Sequence, residues 1–170
     1  MKLWRWRRLR TPFGLWWLLA GPQERLGFLG LSARTAGPDL EDFLRRQRLT
    51  VELKCDAHAH SQAARQLLEY AHGERRSWSL ELEPHGTAFD LRVWQRLQTI
   101  PYGQTRSYGE IAVQLGNRGL ARAVGGANGR NPLPIVVPCH RVLASSGLGG
   151  YSGGLAIKRR LLELEGVRCD

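Results

Sequence analysis

A chain of 170 residues with 42% hydrophobic content can bury one compact core or two small ones, and six tryptophans beside a 24% charged fraction exclude general disorder. No run approaches the roughly 20 apolar residues of a membrane-spanning helix, so no membrane partner is expected. With 25 Lys and Arg against 15 Asp and Glu the formal charge is +10, which favours an acidic partner, nucleic acid before others.

The first half reads as a small α+β unit. Its start, "MKLWRWRRLRTPFGLWWLLAG", resembles a short secretory signal, with a basic beginning and an apolar stretch behind it. The tryptophans among the arginines favour another reading, in which residues 13–19 and 26–31 are two strands around a Gly-Pro turn. "GPDLEDFLRRQRL" predicts a helix with Asp39 as its cap, and residues 51–55 a strand in which Val51, Leu53 and Cys55 alternate. "SQAARQLLEYAHG" predicts a second helix that stops at Gly73, and "WSLELEP" a further strand that ends at Pro84. Cys55, His58 and His60 are metal ligands by type, but their spacing fits no standard tetrahedral site, so neither a metal nor a cofactor is expected. The three cysteines, Cys55, Cys139 and Cys169, form no disulfide framework and point to free thiols in a reducing compartment, the cytoplasm.

The texture changes across residues 82–86, which divides the chain into domains 1–84 and 85–170. From Gly86 onward 11 basic residues face 5 acidic ones, so the second half is basic chiefly because it is short of acids. "TAFDLRVWQRLQTI" predicts a helix capped by Thr87, with Phe89, Val93, Trp94 and Leu97 on its buried stripe. After the break at "PYGQT", Ser107 caps "YGEIAVQLG", Glu110 completes a capping box and Gly116 ends the helix. "LARAVGGAN" then forms a second short helix, and the pair meets the requirement of a helix-turn-helix. That second helix carries Ala121, Ala123, Gly125, Gly126 and Ala127 with Arg122 as its one cation. Such a surface can approach a sugar-phosphate backbone closely while reading little sequence, although tight helix packing accounts for the same small residues.

"NPLPIVVPCHRV" places Cys139 between a proline and a histidine. Neighbours on an extended strand point opposite ways, so His140 reaches the thiol only through a water or across a bent backbone, and Pro138 supplies a bend. The amphipathic helix "GLAIKRRLLELEG" puts Glu163 and Glu165 near its C-terminus, where the helix dipole disfavours a carboxylate unless it has a partner. His140 is a candidate partner, and cysteine, histidine and glutamate together form a thiolate-generating relay. A buried inert thiol is the alternative.

The stretches "GTAFDLRVWQRLQTIPYGQTRSYGEIA", "ARAVGGANGRNPLPIVVPCHRV" and "GYSGGLAIKRRLLELEG" closely resemble the O6-alkylguanine-DNA alkyltransferases over residues 86–166. The resemblance implies a ribonuclease H-like N-terminal domain that acts as a scaffold, and a winged helix-turn-helix-like C-terminal domain that binds DNA and accepts the alkyl group. It implies Cys139 as the acceptor in a single irreversible turnover on O6-alkylguanine, with O4-alkylthymine as a further substrate. His140 and Glu165 would be the relay, Asn131 would brace the hinge beneath it, and Tyr108 would contact the base. Arg122 would fill the space left by a flipped guanine, with Ala121, Gly125, Ala127 and Arg130 beside it on the DNA. Val142, Tyr151, Ser152, Gly153 and Pro134 would line the alkyl pocket. The implied partner is duplex DNA, bound by a monomer through the minor groove without sequence preference, in the nucleoid of a bacterium or the nucleus of a eukaryote.

Three features depart from the family pattern. Arg118 replaces a usual proline, Asp90 replaces a common glutamine with consequences expected only for surface packing, and the first half matches loosely. Two rival classes differ at single features. Alkyltransferase-like modules that mark damage without repairing it lack the acceptor cysteine that this chain has at Cys139. A thiol hydrolase built on Cys139 and His140 leaves Arg122 and Tyr108 without a role.

Overall fold

The computed structural model describes residues 2–31 and 36–169, with the side chains of residues 36–39 outside it. The chain is mixed α+β and divides into two units, Met1–His85 and Gly86–Asp170. Among the described residues no helix is long and apolar enough to cross a membrane.

The first unit is built on four strands, β1 (Lys2–Thr11), β2 (Gly14–Ala20), β3 (Leu26–Gly30) and β4 (Val51–Cys55), in the order β3-β2-β1-β4. The first three pair antiparallel, while β4 returns parallel to β1 after a crossover that contains α1 (Ala36–Arg46). Trp4, Leu19, Phe28 and Phe43 form a core beneath α1, closed by Trp6, Leu40, Leu44, Leu49 and Val51. Each such large side chain withdrawn from water contributes about 1.5–3 kcal/mol. The helix α2 (Ser61–Ala71) lies against β1 and ends as expected at Gly73, whose φ of 78° accommodates the chain reversal.

The structure adds one strand to the expectations for this unit and corrects two of them. The arginine-rich start, for which the sequence predicts no element, is the long strand β1, in which buried Trp4, Leu9 and Thr11 carry the packing between exposed cations. "WSLELEP" is not a strand. It meets the sheet around Leu26, through bonds from Leu26 N to Glu81 O and from Glu83 N to Leu26 O, both 2.9 Å. Asp39 does not precede its helix, because α1 begins at Ala36, and its side chain lies outside the described residues. Of the residues that are metal ligands by type, Cys55 is exposed at the end of β4, and the His60 ring lies 2.8 Å from Glu24. Among the described residues no three His, Cys, Asp or Glu side chains gather around one point.

In the second unit, α3 (Ala88–Leu97) begins at the Thr87 cap, and α4 (Tyr108–Gln114) at Ser107 with Glu110 closing the capping box. A one-turn 3-10 segment, Arg118–Leu120, leads into α5 (Ala121–Gly129). The Asn117 side chain accepts from Gly119 N at 2.8 Å, so this turn is capped without the proline that Arg118 replaces. Both α3 and α4 pack on α5, and the Trp94 indole donates to Ala127 O at 2.9 Å. Two short strands, β5 (Arg106–Ser107) and β6 (Val142–Leu143), pair in parallel, and α6 (Leu155–Leu164) closes the unit. Asp90 is more than a surface residue. It is 2% exposed, completes the Thr87 capping box and receives Arg130 at 2.6 Å.

Candidate active site

The segment 131–142 folds as a series of tight turns held by one side chain. Asn131 accepts from Leu133 N at 3.0 Å and donates to Val137 O at 2.8 Å, bracing the bend from both ends. Within the bend Val136 N bonds Pro134 O at 2.9 Å, a γ-turn that forces Ile135 to a φ of 75°. A β-branched residue in that region stores strain of about 1–3 kcal/mol. Pro138, at φ −80° and ψ 64°, then makes an inverse γ-turn through the 2.8 Å bond from Cys139 N to Val137 O. The chain passes directly into a 3-10 turn, Cys139–Arg141, which is the bent backbone that the cysteine-histidine pair requires.

Cys139 is 1% exposed. Burial pushes its thiol up from the ordinary value, while the polar side chains of Asn131 and Tyr151 and the positive charge of Lys158 act in the opposite sense. His140 Nε2 lies 2.8 Å from Glu165 Oε1. Burial lowers the His140 pKa more than the Glu165 carboxylate raises it, so the imidazole is neutral and able to accept a proton. Glu165 receives four donors: His140, Arg141 Nε at 2.8 Å, Arg141 Nη2 at 2.9 Å and Gly103 N at 3.1 Å. Burial alone would raise its carboxyl, but the bonds from His140 and Arg141 outweigh this and bring it down to about 2. Gly103 is required for this approach, since its φ is 75° and a Cβ there would sit 3.0 Å from Glu165 O.

Arg141 did not figure among the sequence-derived candidates. It also donates to Ile100 O at 2.6 Å and lies over the Tyr102 ring, 5.8 Å from its centroid. A cation directly after Cys-His in an otherwise apolar run was the available signal. Asn128 is a second addition. Its amide donates to Cys139 O at 3.3 Å and its side chain also hydrogen-bonds Tyr108, joining α5 to both residues. Burial, followed by the Cys139 charge, raises the Tyr108 pKa against that bond, which keeps the phenol protonated.

The remaining candidates divide. Val142 and Pro134 are buried, Tyr151 and Gly153 are half-buried, and Ser152 is exposed. On α5, Arg122 is exposed while Ala121 and Gly125 lie at the edge of the open face, with Gly125 packed against the Tyr108 ring. Ala127 does not lie on that face. It is 0% exposed beneath α3, because helical periodicity places it with Val124 and Asn128 on the packing side. Arg130 keeps 43% of its side chain exposed while its guanidinium grips Asp90.

A buried thiol followed in the chain by a neutral histidine that is backed by a carboxylate is the equipment of proteins that make a covalent bond through cysteine. Comparison with known proteins narrows that class. Residues 88–167 match the family described as 6-O-methylguanine DNA methyltransferase, DNA binding domain. The chain is 58% identical over 115 residues to the methylated-DNA–protein-cysteine methyltransferase of Mycobacterium tuberculosis, covering 67% of this chain and 70% of that protein. It is 47% identical over 161 residues to the protein of that name from Mycolicibacterium paratuberculosis, covering 94% and 91%. Among solved structures, the M. tuberculosis O6-methylguanine methyltransferase matches with a TM-score of 0.82 at 44% identity, over 97% of this chain and 93% of that one. The M. tuberculosis OGT in complex with DNA matches at 0.81 and 46% identity, over 95% and 92%. The chain belongs to the methylated-DNA–protein-cysteine methyltransferase family.

Proposed function

We propose that the protein repairs DNA by direct reversal, moving the alkyl group of O6-alkylguanine, and of O4-alkylthymine, onto Cys139. The observation that carries this reading is the buried Cys139 thiol on the turn braced by Asn131, followed by His140 anchored on Glu165. Because Nε2 is committed to Glu165, the thiol proton passes through a bridging water to Nδ1 of His140. The thiolate attacks the alkyl carbon, the new S–C bond forms as the C–O6 bond breaks, and guanine leaves with the electron pair. Tyr108 supplies the proton that makes the base a better leaving group. The product thioether does not hydrolyse, so each molecule acts once.

A base stacked in a duplex cannot reach a buried sulfur, so the nucleotide is extruded at a cost of a few kcal/mol. Exposed Arg122 enters the vacated space, with Ala121 and Gly125 allowing close approach and the outer edge of Arg130 facing the backbone. We read α4, the capped turn and α5, with the β5–β6 pair, as a winged helix-turn-helix that enters the minor groove without sequence preference. The sheet order β3-β2-β1-β4, with β4 parallel to β1, supports a ribonuclease H-like reading of the first unit. Residues 1–84 thus serve as a scaffold and 85–170 as the DNA-binding and acceptor domain, in a monomer that works in the cytoplasm or beside the chromosome. Pro134, Val142, Tyr151, Ser152 and Gly153 form the alkyl pocket. The test is Cys139→Ala, which should bind duplex carrying O6-methylguanine as the parent does and leave the lesion intact. Removal of the methyl group by that variant would shift the acceptor to another residue.

A further inference from the structure

Lys158, on α6, is fully buried, and among the described residues it has no carboxylate partner. Instead its ammonium donates to three main-chain carbonyls, those of Val142 at 2.6 Å, Leu148, and Gly150 at 3.4 Å. Burial lowers its pKa to about 8, and it remains a cation at neutral pH. A buried cation without a counter-ion is unfavourable, and it persists where its donors organise the surrounding backbone.

Two of the three carbonyls flank Gly149. That residue has a φ of 69°, and a Cβ there would lie 3.1 Å from Ala144 N and 3.3 Å from the Tyr108 ring. The loop of residues 147–150 is therefore laid against Tyr108 by a glycine and held there from behind by an ammonium. Its next residue is Tyr151, whose phenol acts to lower the pKa of the Cys139 thiol. The third carbonyl belongs to Val142, three residues after Cys139. One side chain on α6 thus holds both the strand that leaves the cysteine and the loop that lies against Tyr108 and leads into Tyr151.

We propose that Lys158 is a positioning residue for alkyl transfer: by gathering the carbonyls of Val142, Leu148 and Gly150 it pins the 147–150 loop and holds Tyr108 and Tyr151 in place around Cys139. This rests on the alkyl-transfer reading above. Lys158 touches neither the base nor the alkyl carbon. Its effect falls on the rate of transfer once DNA is bound, since the open face of α5 does not depend on it.

A single-turnover protein separates positioning from simple loss of folded material, because the endpoint counts competent molecules and the rate constant reports their geometry. The full chain, as Lys158→Met and separately as Gly149→Ala with the lysine intact, is mixed in excess with duplex containing O6-methylguanine at saturating protein. Methyl transfer to Cys139 is followed in time. Both variants should reach the parent endpoint and bind the duplex as the parent does, with the transfer rate constant lowered about tenfold or more. A parent rate constant with a reduced endpoint in either variant would show a merely structural brace and overturn the proposal, as would a parent rate and endpoint together. If Lys158→Met does not fold, Gly149→Ala decides alone by the same two readouts. Absence of transfer by the parent protein would instead sink the alkyl-transfer reading itself.

Discussion

Glu165 illustrates how a carboxylate at an unfavourable helix end is retained by what it holds. Its pKa near 2 in the folded protein, against an ordinary 4.5, means that it stabilises the fold fully above 4.5. That contribution is lost as pH falls through 4.5 toward 2, when the carboxylate takes up a proton. Glu165→Gln should lower stability at neutral pH by about 3 kcal/mol, because Arg141 is left buried without its counter-charge. The loss relative to the parent should shrink on acidification. Urea melts of both proteins at neutral pH and near pH 3 check this, and equal midpoints at neutral pH would contradict it. A second residue-scale expectation concerns the pocket, where Pro134 offers an apolar ring and Gly153 no side chain. Free O6-benzylguanine should benzylate Cys139 and inactivate the protein, while Gly153→Trp should abolish that reaction and spare methyl repair. Full activity after prolonged exposure would show the pocket to be too narrow.

Among the elements, α5 sorts its residues most sharply. Val124, Ala127 and Asn128 turn inward, and Arg122 stands on the open side. Arg122→Ala should therefore slow repair in duplex DNA far more than dealkylation of the free modified base, because only the duplex requires extrusion. Parallel losses on the two substrates would assign Arg122 to the chemistry. The helices α3 and α4 were legible because the Thr87 cap with its stripe of Phe89, Val93, Trp94 and Leu97, and the capping box of Ser107 with Glu110, are local signals. The strand β1 was obscured because its arginines break up the apolar pattern and its buried residues change face, Trp4 on one side of the sheet and Leu9 and Thr11 on the other. Cys139, His140 and Glu165 could be read from their residue types and from the dipole at the end of α6. Arg141 offered a signal as the cation directly after Cys-His, but Asn128 and Lys158 offered none, since a buried polar side chain takes its meaning from partners such as Cys139 O or Val142 O that lie far away in sequence. The same reason explains Asp90, whose burial depends on Arg130 forty positions later.

For the whole molecule, a charge of +10 on a DNA-binding protein predicts an affinity that is chiefly a matter of phosphate neutralisation. Binding to undamaged duplex should weaken steadily as salt rises and differ little between unrelated sequences. A salt-independent affinity, or a strong sequence preference, would contradict that picture. The central claim is that this chain accepts one alkyl group, permanently, on one sulfur. It is tested most directly by the intact mass of the protein after incubation with duplex DNA carrying O6-methylguanine, followed by peptide mapping. The account predicts a gain of one CH2 per molecule, complete at equimolar lesion and confined to the peptide that contains Cys139. An unchanged mass, or a methyl group mapped to Cys55 or Cys169, would contradict it.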